Sequence, residues 1–200
     1  MSLALAASAY ATPPVSYKTV EVNGVNVFYR EAGDRSAPTL VLLHGFPTSS
    51  HMFRSIIPKL ADKYHVLAPD YPGFGNSAQP PMKRFEYTFD NLTTIVEGFL
   101  TKVGAKQYSL YVMDYGAPVG FRIAANNPNR VQSLIVQNGN AYDEGLQEFW
   151  DPIKKYWKER NQADFLGLAS LEPRFCMQIP HTSELRYCNT NERGSQEHMR

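Results

Sequence analysis

Residues 109–122 read Ser-Leu-Tyr-Val-Met-Asp-Tyr-Gly-Ala-Pro-Val-Gly-Phe-Arg, and this stretch decides the fold. The apolar run from Tyr108 to Met113 predicts a buried strand. The chain then passes Asp114, turns at Gly116 and enters an apolar segment with Pro118 in its first turn. A proline suits a helix start because its missing N–H would have no partner there. The pattern predicts a strand, a sharp turn and a helix, with one carboxylate at the apex.

Three short motifs follow predicted strands. Residues 112–116 match the nucleophile elbow Gly-x-Ser-x-Gly in outline, with Asp114 in place of the serine and Val112 in place of the first glycine. Residues 44–47, His-Gly-Phe-Pro, follow one apolar run, and residues 70–77, Asp-Tyr-Pro-Gly-Phe-Gly-Asn-Ser, follow another. Any one motif alone is a weak signal, whereas the three together in this order are a specific one.

In order and spacing, these motifs resemble the aspartate-nucleophile branch of the α/β-hydrolases, which includes epoxide hydrolases and haloalkane dehalogenases. The resemblance covers residues 17–157. It implies an α/β fold with the α/β-hydrolase sheet, mostly parallel with an antiparallel N-terminal hairpin and flanked by helices. We expect this sheet to be incomplete, with the last strands and most of the lid missing.

Local patterns agree with that fold. Asn23-Gly24, between two β-rich runs, is a strong hairpin signal. The run Thr39–Leu43 has no polar alternation, which predicts a central parallel strand. Helical spacing predicts helices over residues 50–61 and 88–103. Residues 133–138 predict a further strand, left on an open edge where self-association would be favoured.

The resemblance also implies roles for four residues. Asp114 is the expected nucleophile, the backbone N–H groups of Phe46 and Tyr115 the expected oxyanion donors, and His44 the residue that orients the loop. An aspartate suits electrophilic carbon, since its attack on an epoxide or alkyl halide forms a covalent ester. Water then attacks the ester carbonyl and builds an oxyanion that N–H donors stabilise. The alternative is that Asp114 is only a polar helix cap.

Hydrolysis of the ester needs a histidine base and an acid that orients it. In the family this histidine follows the last strand of a full-length domain. His181 and His198 lie in residues 161–200, which the quoted motifs do not reach. We therefore expect the chain to be the N-terminal part of a hydrolase that ends before its base. Asp114 would then be alkylated at most once, with little turnover.

The substrate is predicted to be a small electrophile, with an epoxide favoured over a haloalkane. Haloalkane dehalogenases bind the halide with a tryptophan and an asparagine at positions held here by Tyr115 and Phe46. Epoxide hydrolases use lid tyrosines, for which Tyr142 and Tyr156 are the candidates, and Trp150 completes the predicted substrate-binding set. A packing role is the favoured interpretation of Tyr142 and Tyr156, and packing explains Trp150 equally well. The alternative function is a non-catalytic pseudoenzyme that binds a small apolar ligand.

The composition and the remaining motifs limit which classes of binding partner are expected. A net charge of +1 gives no reason to expect nucleic acid or an anionic membrane. No apolar run is long enough to span a bilayer. Residues 73–78 formally read Gly-x-Gly-x-x-Ala, but prolines follow and no helix begins, which argues against dinucleotide binding. We expect a small-molecule substrate, no nucleic-acid or membrane partner, no cofactor and no metal ion.

Four segments are predicted along the chain. They are a disordered leader or signal remnant over 1–14, the N-terminal part of the hydrolase core over 15–141, the start of a helical lid over 142–160, and a divergent, poorly ordered tail over 161–200. Residues 9–11, Ala-Tyr-Ala, fit a signal cleavage site, but no cationic region precedes them. This favours a leader and a cytoplasmic location over secretion, and leaves both alternatives open.

Overall fold

The computed structural model describes residues 14–141 and the single positions 148, 151, 154, 155 and 158. The predicted leader, lid and tail therefore lie outside the described residues, apart from those positions. Six strands form one sheet in the order β1-β2-β4-β3-β5-β6. They are β1 (Ser16–Val22), β2 (Val25–Ala32), β3 (Thr39–Leu43), β4 (His65–Pro69), β5 (Tyr108–Met113) and β6 (Val131–Gln137).

The sheet is mixed in the way the sequence predicts. β1 and β2 form an antiparallel hairpin that closes at the pair Val22 and Val25. Between them Asn23 and Gly24 take φ values of 52° and 78°, the left-handed backbone that a two-residue hairpin turn requires. β2 is also antiparallel to β4, whereas β3, β4, β5 and β6 are mutually parallel. The parallel strands therefore end at one edge of the sheet.

Each face of the sheet carries its own apolar core. On one face α2 (Phe89–Lys102) and α3 (Gly116–Asn126) cover alternate strand residues such as Val41 and Leu110. The other face packs a smaller cluster around Leu40 and Ile57. β3 is buried on both faces between β4 and β5, as its unbroken apolar run predicts. No helix among the described residues is long and apolar enough to cross a membrane.

One predicted helix is wrong. Residues 50–61 form a short 3-10 helix at Ser50–Phe53 and then a single turn, α1 (Ile57–Leu60), instead of one continuous helix. Pro58 has no N–H to bond to the carbonyl four residues earlier, and its ring disfavours helical backbone before it. The predicted helix over 88–103 is confirmed as α2, capped by the Thr88 side chain, which accepts from the Asn91 N–H.

β6 is an edge strand within the described part of the chain, since it pairs only with β5. Ile135 and Val136 point to opposite faces and are 48% and 45% exposed. This agrees with the predicted open edge. Self-association through it stays a prediction.

Candidate active site

The predicted elbow lies at the end of β5. Asp114 follows Met113 directly and has a φ of 48°, a left-handed backbone that aspartate tolerates better than most residues. The Ala117 N–H donates to the Asp114 carbonyl oxygen at 2.9 Å and closes the turn. α3 begins at Gly116, so the Asp114 carboxylate stands between a strand end and a helix start.

Two glycines let α3 approach the sheet. A Cβ on Gly116 would lie 2.4 Å from the Leu43 carbonyl oxygen, so no larger residue fits without a backbone shift. A Cβ on Gly120 would lie 2.3 Å from Cγ1 of Val112. This contact explains why the elbow tolerates Val112 where the motif has glycine. Val112 therefore fits at the first glycine position of the motif because residue 120, which packs against it, has no side chain.

The Asp114 carboxylate is held by backbone donors. Its Oδ1 accepts hydrogen bonds from the Phe46 N–H at 2.8 Å and the Tyr115 N–H at 2.6 Å. No described residue donates to Oδ2. A Cβ on Gly45 would lie 2.5 Å from the Asp114 Cβ, so the loop reaches this position only with a glycine. The structure thus brings together Asp114, Phe46 and Tyr115, with two N–H groups at the distances expected of an oxyanion hole.

His44 lies beneath this loop and is fully buried. Its Nε2 accepts from the Tyr71 N–H at 3.3 Å, which places the ring proton on Nδ1, 3.0 Å from the Gly45 carbonyl oxygen. Burial lowers the pKa of His44, although the charges of Asp70 and Asp114 partly oppose this. The ring is therefore neutral, with both nitrogens engaged in holding the loop.

Asp70 ties two loops together, a role that the sequence motif did not reveal. The buried carboxylate accepts from the Ser50 N–H at 2.7 Å and from the Asn76 N–H at 2.8 Å. The Ser77 hydroxyl donates to the Asp70 carbonyl oxygen at 2.7 Å. A Cβ on Gly75 would come within 1.9 Å of Asp70 Oδ2. The spacing of Asp70 and Gly75 within the motif of residues 70–77 is the sequence signal that could have predicted this contact.

Aromatic rings surround the elbow. The Tyr115 ring centroid lies 5.0 Å from that of Phe89, 5.4 Å from that of Phe46 and 6.4 Å from that of Phe74. Burial, with a smaller contribution from the charge of Asp114, raises the pKa of Tyr115 to about 12. Tyr115 is therefore a neutral phenol at physiological pH. Sequence reasoning missed Phe74 and Phe89, since neither stands in an active-site motif position with a known role.

The remaining predicted site residues do not join this cluster in the described structure. Tyr142, Trp150 and Tyr156, and also His181 and His198, lie outside the described residues. The two other described histidines contact groups other than Asp114: His51 Nδ1 lies near Arg30 and His65 Nε2 near Glu31. In the part of the chain that is described, no three His, Cys, Asp or Glu side chains are grouped as metal ligands.

Comparison with known proteins decides the family. The family model described as the alpha/beta hydrolase fold matches residues 38–179. The chain belongs to the α/β-hydrolase fold family. The match continues past residue 157, where the resemblance of the motifs ends, into the predicted tail.

Relatives within this α/β-hydrolase family carry several names. The chain is 47% identical over 152 residues to an uncharacterized hydrolase of Saccharomyces cerevisiae, covering 76% of this chain and 51% of that protein. It is 34% identical over 120 residues to a haloalkane dehalogenase of Bradyrhizobium diazoefficiens, covering 60% and 38%. It is 38% identical over 118 residues to epoxide hydrolase A of Mycobacterium tuberculosis, covering 58% and 36%.

Solved structures of other proteins share the fold. A loop variant of haloalkane dehalogenase DbeA from Bradyrhizobium elkanii has a TM-score of 0.64 at 27% identity, covering 78% of this chain and 54% of that one. A bacterial membrane phospholipase A has a TM-score of 0.65 at 26% identity, covering 78% and 51%. The chain spans about half the length of these proteins or less. Because neighbours with different activities share the fold, the activity must be argued from the site.

Proposed function

We propose that the chain carries the nucleophile of a hydrolase, with Asp114 attacking an electrophilic carbon. The observation that supports this most strongly is the asymmetry of its carboxylate. Oδ1 accepts two backbone hydrogen bonds, from Phe46 and Tyr115, whereas Oδ2 receives none from the described residues. A carboxylate that served only as a helix cap would accept hydrogen bonds from the N–H groups of the first helical turn and would not need the Phe46 N–H of a second loop.

The first step is an in-line displacement by Oδ2. With an epoxide, a bond forms between Oδ2 and a ring carbon, the ring C–O bond breaks, and the resulting alkoxide takes up a proton from solvent water. With an alkyl halide, the carbon–halogen bond breaks and halide leaves. In both cases the product is an ester of Asp114, a covalent intermediate that splits a hard substitution into two easier steps.

In the second step water attacks the carboxyl carbon of that ester and loses a proton to a base, and the bond from this carbon to Oδ2 breaks, so that the alcohol or diol leaves with a proton and the carboxylate is restored. Oδ1 is by then the ester carbonyl oxygen, and the negative charge that develops on it stays against the N–H groups of Phe46 and Tyr115. Donors already in place before the charge develops are worth several kcal/mol in such steps, about 2.7–4 kcal/mol for one donor. This step also needs a base, and His44, with both ring nitrogens engaged, is not placed to serve.

The proposed substrate is a small apolar electrophile, with an epoxide favoured over a haloalkane. The rings of Phe46, Phe74, Phe89 and Tyr115 form an apolar wall near the carboxylate. Such a wall suits an aryl or alkyl epoxide, because aromatic side chains bind apolar groups through large contact areas. The names of the relatives include both a haloalkane dehalogenase and an epoxide hydrolase, so both classes are tested.

The test is intact-mass spectrometry of the purified chain after incubation with styrene oxide, and separately with 1-bromobutane. We expect the protein to gain the mass of one whole epoxide, and to gain a butyl group more slowly. The Asp114→Asn variant should gain neither. Asp90→Asn, which removes an exposed carboxylate, is the matched control and should be modified like the unaltered protein.

The released products distinguish the remaining outcomes. Diol formed over many turnovers, and lost in Asp114→Asn, would support the nucleophile and show that a base acts on the ester. Reversible binding of the epoxide without an adduct or product would favour the pseudoenzyme that binds a small apolar ligand. Equal modification of the unaltered protein and Asp114→Asn would overturn the proposal.

A further inference from the structure

The loop of residues 44–48 reaches Asp114 through a glycine, which does not by itself fix the direction of the next peptide group. A Cβ on Gly45 would lie 2.5 Å from the Asp114 Cβ, so a larger residue does not fit. Glycine lacks the Cβ that restricts the backbone of other residues, so the peptide that follows it can turn more freely. That peptide carries the Phe46 N–H, which donates to Asp114 Oδ1 at 2.8 Å. Its direction must therefore be fixed by groups other than the glycine.

The Gly45 carbonyl is the end of this peptide that other groups hold. The peptide is trans, and in a planar trans peptide the C=O and N–H bonds point in opposite directions. The Gly45 carbonyl oxygen accepts from the Thr48 hydroxyl at 2.7 Å, from the Thr48 N–H at 3.0 Å and from His44 Nδ1–H at 3.0 Å. Holding the carbonyl on one side of the peptide keeps the Phe46 N–H on the other side, toward Asp114.

Thr48 makes the shortest of these contacts and lies at the surface. It is exposed, whereas His44 is fully buried beneath the loop. The Thr48 hydroxyl also lies 3.2 Å from Met52 Sδ, but a thioether sulfur is only a weak acceptor, so the hydroxyl proton goes to the Gly45 carbonyl oxygen. An exposed threonine contributes little to the apolar core. Its hydroxyl can therefore be removed without unfolding the protein.

We propose that Thr48 is a positioning residue of the oxyanion hole, whose hydroxyl holds the Gly45 carbonyl so that the Phe46 N–H stays on Asp114 Oδ1. If this peptide turned over, Oδ1 would lose one of its two donors and would face a carbonyl oxygen instead. The loss matters most in the second step, when negative charge develops on Oδ1. This inference rests on the proposed role of Asp114 as nucleophile.

The first test is the NMR signal of the Phe46 backbone amide in the full chain, and it needs no substrate. Thr48→Val removes the hydroxyl but keeps the branched shape and the backbone N–H. Its Phe46 amide proton should move upfield, because the bond to a charged acceptor is lost for part of the time, and should exchange with solvent about tenfold faster. Thr48→Ser keeps the hydroxyl and should resemble the unaltered protein.

The second test is cleavage of the Asp114 ester by hydroxylamine, which does not depend on a base in the chain. The adduct is formed with styrene oxide and freed of excess epoxide. Hydroxylamine nitrogen then attacks the ester carbon and loses a proton to solvent, the bond from this carbon to Oδ2 breaks, and the diol leaves with a proton. Thr48→Val should slow this cleavage about tenfold, a part of the roughly 100-fold or larger effect of losing one oxyanion donor. Alkylation, in which no charge develops on Oδ1, should proceed as before, and Thr48→Ser should restore cleavage.

Thr101→Val is the matched control, since it removes an exposed hydroxyl that donates to the Glu97 carbonyl oxygen at 2.9 Å within α2. It should change neither the Phe46 amide signal nor the rate of ester cleavage. A Phe46 amide signal that Thr48→Val leaves unmoved would overturn the proposal, as would ester cleavage at the unaltered rate in that variant. If the unaltered chain forms no adduct, the proposed function fails, and the NMR comparison alone decides the role of Thr48.

Discussion

Two carboxylates at opposite ends of the sheet illustrate how surroundings decide what an acidic side chain can do. Glu31 is buried and faces three partners: Lys18 at 2.6 Å, Arg35 at 2.8 Å and His65 at 2.8 Å. Both of its oxygens are engaged. Asp114 has no cation within ion-pair distance among the described residues, and only one of its oxygens is engaged. Glu31 is therefore a structural residue, whereas Asp114 keeps Oδ2 without a donor among the described residues, as its proposed role as nucleophile requires.

The pKa of Glu31 reflects the same difference. Burial alone would raise it, but the hydrogen bonds from Lys18 and His65 and the charge of Arg35 outweigh burial and lower it. The negative charge of Glu31 is thus stabilised in the folded state. At Asp114 the hydrogen bonds come from neutral backbone N–H groups, and both bind Oδ1 and not the oxygen that is proposed to attack.

The largest stability effect should come from Glu31→Gln. It leaves Lys18, Arg35 and a buried His65 without their carboxylate, and breaking a buried pair costs about 3 kcal/mol. Urea unfolding should show this loss, while alkylation of Asp114 proceeds as before. Asp90→Asn is the control: it breaks the exposed pair with Arg122 and should cost under about 1 kcal/mol. Equal losses of unfolding free energy in Glu31→Gln and Asp90→Asn would contradict the claim that the buried ion pairs of Glu31 stabilise the fold more than the exposed pair of Asp90.

A smaller loss is expected from Gly116→Ala. Its new Cβ would lie 2.4 Å from the Leu43 carbonyl oxygen, so the helix must shift, and overpacking of this kind costs about 1–3 kcal/mol. Because the shift moves the elbow, the rate of Asp114 alkylation should fall as well. Gly104→Ala is the control: no atom lies within 4 Å of its Cβ, and only its positive φ opposes the change. It should lower stability without changing the alkylation rate.

The pH dependence of stability should follow Glu31. Its pKa is lowered in the folded state, so its contribution is complete above its pKa in the unfolded chain. That contribution is lost as the pH falls through the lower, folded value. Urea unfolding across the acidic range should show a steeper fall in stability for the unaltered protein than for Glu31→Gln. If stability fell equally steeply with pH in the two proteins, the assignment of this pH dependence to Glu31 would be wrong.

The smallest effect, and the only gain, is expected from Tyr71→Phe. The Tyr71 hydroxyl is buried, and no described residue bonds to it. Burial, with the charge of Asp114, raises its pKa well above the ordinary value, so it stays neutral. Removing an unsatisfied buried hydroxyl should raise stability by about 1 kcal/mol. A loss of stability or of Asp114 alkylation would show that the hydroxyl has a partner of its own in solution.

Sequence patterns predicted what depends on near neighbours along the chain. The strands, the Asn23-Gly24 turn and the helix after Thr88 follow from local apolar spacing and turn chemistry. The break at Pro58 was also a local signal, but helical spacing on both sides obscured it. The juxtaposition of Phe46 with Asp114 came from family resemblance, because no spacing rule places residues 68 positions apart in contact.

Other features depend on strand register and could not be predicted from the sequence. Glu31 and Arg30 are adjacent in the chain but face opposite sides of the sheet, and only the pairing of β2 with β1 and β4 shows which partners each meets. The packing of Phe89 on Tyr115 arises in the same way from tertiary structure. Such contacts decide whether a charge is paired or available.

Mapping the site of alkylation tests the central claim most directly. The unaltered chain is incubated with styrene oxide, quenched in acid and digested, and the peptides that carry Asp114, Glu31 and Asp70 are sequenced by tandem mass spectrometry. We predict the label on Asp114, with Glu31 and Asp70 unmodified because their oxygens are engaged. A label on Glu31 or Asp70 with Asp114 unmodified would contradict the account.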